Sequence, residues 1–424
     1  MSHELVIGCV GKPSAGKSSF LNAATDSNAK VGNYPFTTIE PNYGITYYPT
    51  ECPCKRFDKI SVCSPRYGRC EQGTRFIPVK MLDVAGLVPG ASEGLGLGNQ
   101  FLDDLRSAHV LLHVVDVSGT TNEKGEETTG YDPINDIQWL KDEIHQWIYN
   151  NLWKRWGNII RKQKATKVQA DSILHKKLSG YGTRLFVVKE ALERIDLKEP
   201  ISLDGWDQDQ LHKFVDSFLD VRFPTVLVLN KVDQSASDQN ISRICSRYPD
   251  YAMIPTSALA ECFLKKMRQQ GYIQYKEGDD NFYTSDTVST LKVCDEKVKG
   301  RLDKLQDLVL FRYGGTGVQL AIKTAVELKK FIPVYPVKNL KTLSCSIKGG
   351  DVLRDCMLVS KGTQVREFAG MLHPDLEKYY LYAEGINGQR LGESDEIQEN
   401  NNIIKYTTAA LESVGKDKDK DDDK

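Results

Sequence analysis

Eight residues carry the first chemical signal: Gly11-Lys12-Pro13-Ser14-Ala15-Gly16-Lys17-Ser18, the pattern GxxxxGK[ST], directly after the apolar run Leu5 to Val10. A buried strand that opens into a glycine-rich turn and then a helix brings backbone N–H groups and the positive helix end to one point. That arrangement cradles phosphate. Lys17 is placed to reach outer phosphate oxygens and Ser18 to ligate a magnesium ion, with Ser19 beside it at the start of the helix. Asp83-Val84-Ala85-Gly86 ends the apolar run Ile77 to Leu82 and adds two missing parts. Asp83 is a carboxylate for the Mg2+ shell, and Gly86 offers a backbone N–H for a terminal phosphate. Thr38, in Tyr34-Pro35-Phe36-Thr37-Thr38, offers that metal a hydroxyl, with an ordinary turn as the competing reading.

Asn230-Lys231-Val232-Asp233 follows the apolar stretch Thr225 to Leu229 and bears on the choice of base. A carboxylate accepts two hydrogen bonds from N1–H and the exocyclic amine of guanine, a pattern adenine does not offer. The Lys231 stem can lie along the base, Asn230 can brace the loop, and Ser257-Ala258, after another strand-like run, are expected to close the base pocket with backbone N–H groups, with Leu259 the next nucleotide-binding residue.

These motifs need strands that end at one edge of a sheet. Strand-like runs alternate with helical ones, which describes an α/β fold with a mostly parallel sheet and helices on both faces. The residues divide into a nucleotide unit at 1–130, an α-helical insertion at 131–220, a second part of the nucleotide unit with following helices at 221–330, a carboxy-terminal module at 331–410, and a charged tail at 411–424 that is expected to be disordered. A helical pattern is also expected from Asp286 to Arg312. Net charge is −1, so any contact with a polyanion must come from a local patch. Lys154 to Lys177 offers one, with eight Lys or Arg against Asp171, and a solvated helix face is the competing reading. Four of the five tryptophans, Trp139, Trp147, Trp153 and Trp156, precede or enter it and are expected to pack helices together. No run is long enough to span a membrane, and no basic stretch followed by an apolar one opens the sequence, so a cytoplasmic protein is expected.

Two long stretches carry a family resemblance. Tyr34-Pro35-Phe36-Thr37-Thr38-Ile39-Glu40-Pro41-Asn42 and the run from Asp83 through Ala91, continued by Gly94-Leu95-Gly96-Leu97-Gly98-Asn99-Gln100-Phe101-Leu102, are similar to the Obg/YchF branch of translation-factor-class P-loop GTPases. The resemblance implies GTP or ATP hydrolysis tied to RNA or ribosomes. YchF-type relatives lose the base-reading carboxylate, whereas Asp233 is kept, so GTP and GDP are the expected ligands. The asparagine that resembles a potassium ligand in this group is Ser14 here, which puts potassium activation in doubt. The part after Ile332 resembles the TGS domain, a ubiquitin-like β-grasp module, and implies a ribosome or RNA contact by analogy.

Leu87 stands where signalling GTPases carry a glutamine that orients the attacking water, and it can neither donate nor accept a hydrogen bond. No catalytic residue follows from the sequence, and slow hydrolysis stimulated by a partner is the expectation. The alternatives are an ATPase of the same architecture and a nucleotide-stabilised RNA- or ribosome-binding module with negligible catalysis. Cys52, Cys54, Cys63 and Cys70 lie in a polar insertion without CxxC knuckles. Reduced thiols in a surface loop are expected, with a structural zinc as the alternative.

Overall fold

The computed structural model describes residues 5–25, 42–84, 98–197, 201–346 and 349–409, with the side chains at 98–100, 102 and 103 outside that description. The expectations for Thr38, Gly86, Leu87 and the charged tail fall outside it. Seven strands form the first sheet: β1 (Val6–Val10), β2 (Tyr43–Glu51), β3 (Arg69–Glu71), β4 (Thr74–Asp83), β5 (Val110–Asp116), β6 (Thr225–Asn230) and β7 (Ala252–Thr256). Their order is β2-β4-β1-β5-β6-β7, with β3 paired to β4. The pairings β4-β1-β5-β6-β7 are parallel, and β2 is antiparallel to β4. β1 and β5 are buried along their whole length because helices cover both faces, which is why they read as continuous apolar runs.

Between β5 and β6 the described residues form five α-helices, Ile134–Trp153, Trp156–Thr166, Ala170–Leu178, Leu185–Glu193 and Gln208–Arg222. Trp147 packs edge-on to Tyr181 at 4.7 Å, and Trp156 meets Trp206 at 5.8 Å, so both rings tie helices to the turns between them. Trp153 stays 40% exposed and stacks on Tyr149. Arg222 anchors this helical part to the sheet: its buried guanidinium donates to the carbonyls of Tyr181, Ala108 and Arg106 at 2.8 to 2.9 Å.

The second sheet holds β8 (Phe331–Pro336), β9 (Met357–Ser360), β10 (Tyr380–Gly385), β11 (Arg390–Leu391) and β12 (Ile403–Thr408) in the order β11-β10-β12-β8-β9. β12 runs parallel to β8, the remaining pairs are antiparallel, and the helix Val365–Leu372 buries Val365, Phe368 and Ala369 against the sheet. This is the layout of a TGS-like β-grasp module. Among the described residues no helix is long and apolar enough to cross a membrane.

Two sequence expectations change. The helix expected from Asp286 begins only at Glu296, because Asp295 accepts the Val298 N–H as its cap and the preceding residues form turns. The cysteine insertion is not a loose surface loop: Cys52 and Cys54 are fully buried in a cluster with Tyr335, Leu343 and Leu353 of the carboxy-terminal part.

Candidate nucleotide site

β1 delivers the chain to Gly11, at φ +145°, where a Cβ would lie 2.5 Å from the Val114 carbonyl oxygen. Gly16, at φ +96°, caps the helix Lys17–Ala24, and a Cβ there would lie 2.3 Å from Asn230 Nδ2. Both positions therefore demand glycine, and the loop they shape wraps Pro13, Ser14 and Ala15 around the helix start. Lys17 Nζ donates to the carbonyls of Gly11 and Lys12 at 3.0 and 2.8 Å. Burial pulls the Lys17 pKa down, and the nearby Asp83 charge opposes that effect. An arriving anion would oppose it further. Ser18 Oγ donates to Asp83 Oδ2 at 3.2 Å, so a hydroxyl and a carboxylate from two elements converge beside the loop. Hard oxygen donors of this kind fit a magnesium ion. Cys9, beneath the loop, is pushed up to about 12 by burial and then by Asp83, and it stays a thiol.

Asn230, at the end of β6, ties two loops together. Its Nδ2 donates to the Ala15 carbonyl at 2.9 Å, and its Oδ1 accepts the Ala258 N–H at 3.1 Å. Lys231, at φ +71°, donates from Nζ to Asp116 Oδ2 at 2.7 Å. Asp233 accepts from Ser257 Oγ at 2.7 Å and from Gln234 Nε2 at 3.0 Å, one bond on each carboxylate oxygen. Ser257 also caps the helix Ala258–Gln269 through the Ala260 N–H. The backbone N–H groups expected to face a base have partners already, Ser257 to the Thr316 carbonyl and Ala258 to Asn230. Beside the Asp233 carboxylate lies an open cavity of about 360 Å3, lined by Ser257, Leu259, Phe263, Lys304 and Leu308. Leu259 is 68% exposed there, an apolar side chain with its face to the opening. A slot with apolar walls and one fixed carboxylate suits a flat ring that carries N–H donors.

Residues 6–151 match the family described as 50S ribosome-binding GTPase, and residues 228–339 match the Obg-like GTPase YGR210-like, G4 motif-containing domain. A relative from Schizosaccharomyces pombe, named an uncharacterized GTP-binding protein, is 47% identical over 94% of this chain and 96% of its own. The chain belongs to the Obg/YchF family of P-loop GTPases. A solved structure, the GTP binding protein from Pyrococcus horikoshii OT3, superposes with a TM-score of 0.70 at 36% identity, and the match covers 96% of this chain and all of that one. A family member from Mycoplasma pneumoniae named ribosome-binding ATPase YchF is 27% identical over 93% of each chain.

One group of this GTP-binding family member escaped the sequence reading. Asp116 is 1% exposed and accepts from Lys231, from the Ser118 N–H and hydroxyl, and from the Thr121 hydroxyl. Burial works to raise its pKa, but these hydrogen bonds and the Lys231 charge outweigh burial and hold it below the usual carboxylate range. Its only mark in the sequence is its place as the polar residue that ends β5. Lys12, expected in the sequence as part of the phosphate-binding loop, turns its side chain inward: Nζ meets Asp136 Oδ2 at 2.9 Å, donates to the Thr121 carbonyl at 2.7 Å and lies 4.1 Å from the centre of the Tyr131 ring. Asp136 is 1% exposed, and burial holds its pKa up despite Lys12.

Proposed function

We propose that this protein binds GTP and hydrolyses it to GDP and phosphate by in-line attack of water, slowly by itself and faster on a ribosome or RNA surface. The observation that carries the reading is the fixed Asp233 carboxylate, tied by Ser257 and Gln234, at the same sheet edge as Lys17, Ser18 and Asp83. Each Asp233 oxygen keeps a lone pair for the N1–H and amine of guanine. Asn230 and Lys231 hold the loop that presents it, and Leu259 covers one side of the base. Residues 11–19, with the Gly86 N–H, hold the phosphates. Lys17 leaves its two carbonyl partners for the outer phosphate oxygens and offsets their charge as it accumulates. Ser18 and Thr38 would be the protein ligands for a magnesium ion, with Asp83 next to its shell, and the ion when bound would offset negative charge on the nucleotide phosphates.

Leu87 cannot orient water, so the chain by itself lacks one part of a fast hydrolase. A docking partner would supply it. All eight basic side chains between Lys154 and Lys177 are exposed, which suits a phosphate-rich surface, and the ribosome appears in the names of both the matched family and the Mycoplasma relative. Such docking implies a cytoplasmic protein. The test is binding of fluorescent GDP, GTP and ATP analogues to the wild type and to Asp233→Ala, followed by phosphate release with and without ribosomes. Guanine preference lost in the variant, and turnover raised by ribosomes, are the expected results. Equal or tighter ATP binding, unchanged in the variant, would replace this reading with an ATPase. Guanine preference without turnover under either condition would leave a nucleotide-stabilised binding module.

A further inference from the structure

Cys52-x-Cys54, Cys63 and Cys70 are irregularly spaced, yet the chain gathers them. β2 ends at Glu51, Cys52 caps the short helix Pro53–Arg56 that carries Cys54, and the left-handed Asp58, at φ +52°, helps turn the chain toward Cys63. Cys70 sits in β3, held against β4. The four Sγ atoms lie within 4.8 Å of one another. Cys52 and Cys63 are 3.8 Å apart and Cys54 and Cys70 are 3.7 Å apart, and all four are free thiols. A tetrahedron of thiolates about 2.3 Å from a central zinc has edges of about 3.8 Å.

We propose that Cys52, Cys54, Cys63 and Cys70 form a closed tetrahedral site for one structural zinc ion, which fixes the TGS-like module to the edge of the nucleotide sheet. Hard cations such as magnesium avoid four sulfurs, and four protein ligands leave no open position for catalysis. The surroundings suit an anionic cluster. Arg75 is buried beside it at 1% exposure, and its Nε has no protein partner among the described residues. Loading with zinc converts the four thiols to thiolates, releases their protons to solvent, and leaves a site of charge −2 that Arg75 partly offsets.

The location says what the site holds together. Arg75 donates to the carbonyls of Leu353 and Arg354, each at 3.0 Å. The Ser64 and Arg66 N–H groups donate to the carbonyls of Val352 and Arg354 at 3.0 and 2.8 Å, and Cys63 bridges to Val352. The loop between β8 and β9 thus rests on a segment that has little regular structure of its own to stiffen it. This inference is independent of which nucleotide binds.

The experiment is elemental analysis of the full chain, grown with added zinc and purified without metal-affinity steps. About one zinc per chain is expected, with X-ray absorption showing only sulfur neighbours at about 2.3 Å. Cys54→Ser and Cys63→Ser should each lose the metal and melt several degrees lower. If these variants are insoluble, the wild type decides: mercurial modification of its thiols should release the zinc to a metallochromic dye. Hydrogen exchange at Val352 to Arg354 should quicken on removal. A chain without zinc and with four readily modified thiols, iron in its place, or a Cys63→Ser variant that keeps its zinc would each overturn the proposal.

Discussion

The Lys231 ammonium lies 2.7 Å from the Asp116 carboxylate, so the loop after β6 is pinned from the end of the neighbouring strand β5. Lys231 needs that anchor because its backbone is left-handed, at φ +71°, which a non-glycine residue adopts at a cost. Asp116→Asn keeps the shape and removes the charge. The expected result is a loss of about 1–3 kcal/mol in stability, from one weakened charge-assisted bond and the rearranged bonds of Ser118 and Thr121. Guanine nucleotide affinity should fall with it, because Lys231 and Asp233 share a loop. Thermal melts and nucleotide titrations check both, and wild-type values in each would show that the anchor is idle.

This pair also marks how far the sequence could be read. The phosphate loop and the Asn230–Asp233 loop were legible because glycines and charges at strand ends admit few other uses. Asp116 was not, since one acid that closes an apolar strand is a common way to end a strand, and only the fold shows three residues converging on it. The four cysteines failed for a similar reason. Their spacing lacks a metal knuckle, and their approach depends on the β3–β4 pairing and on left-handed residues such as Asp58 and Gln72 that local propensity does not announce. The β-grasp order was legible only by resemblance, because a parallel β12–β8 pairing over 60 residues of chain leaves no local pattern.

Lys12 and Asp136 are buried at 1% exposure each and meet at 2.9 Å. Removal of one partner strands a charge, whereas removal of both restores an apolar contact. Lys12→Met is expected to cost about 3–5 kcal/mol, and Lys12→Met with Asp136→Leu distinctly less. Urea unfolding of the two variants measures the difference. A double variant as unstable as the single one would mean that Lys12 acts through the Thr121 carbonyl and Tyr131 rather than through Asp136.

His109 and His113 set an acid limit. Burial lowers both to about 3, helped at His109 by Arg222 and Lys329 and at His113 by Lys17. An unfolded histidine takes its proton near pH 6.5, and these two refuse it in the fold until about pH 3. Between those values the unfolded chain binds more protons, so the stability present above pH 6.5 is lost as the pH falls. Each ring adds up to about 1.4 kcal/mol per pH unit to that slope. His109 Nδ1 accepts the Val6 N–H at 3.2 Å, and His109→Asn keeps an acceptor there without a titrating ring. Unfolding free energies between about pH 6 and pH 4 should show a slope shallower by about one ring's share. An unchanged slope would assign the acid sensitivity to other groups.

The basic face of the helical part gives the last test. Lys162, Lys164 and Lys167 are exposed, and of these Lys164 has an acidic neighbour, Asp204 at 2.8 Å. If this face meets phosphates, each lysine releases a counterion on binding, and the affinity depends on salt in proportion to the number of contacts. Replacement of all three by glutamine should weaken RNA or ribosome binding most at low salt. On single-stranded RNA it should reduce the slope of log affinity against log salt by about two units. The fold should not change, since none of the three is buried. Titrations at several salt concentrations read the slope directly. A parallel slope with uniformly weaker binding would mean that these lysines do not touch phosphate, and the TGS-like module would become the surface to examine.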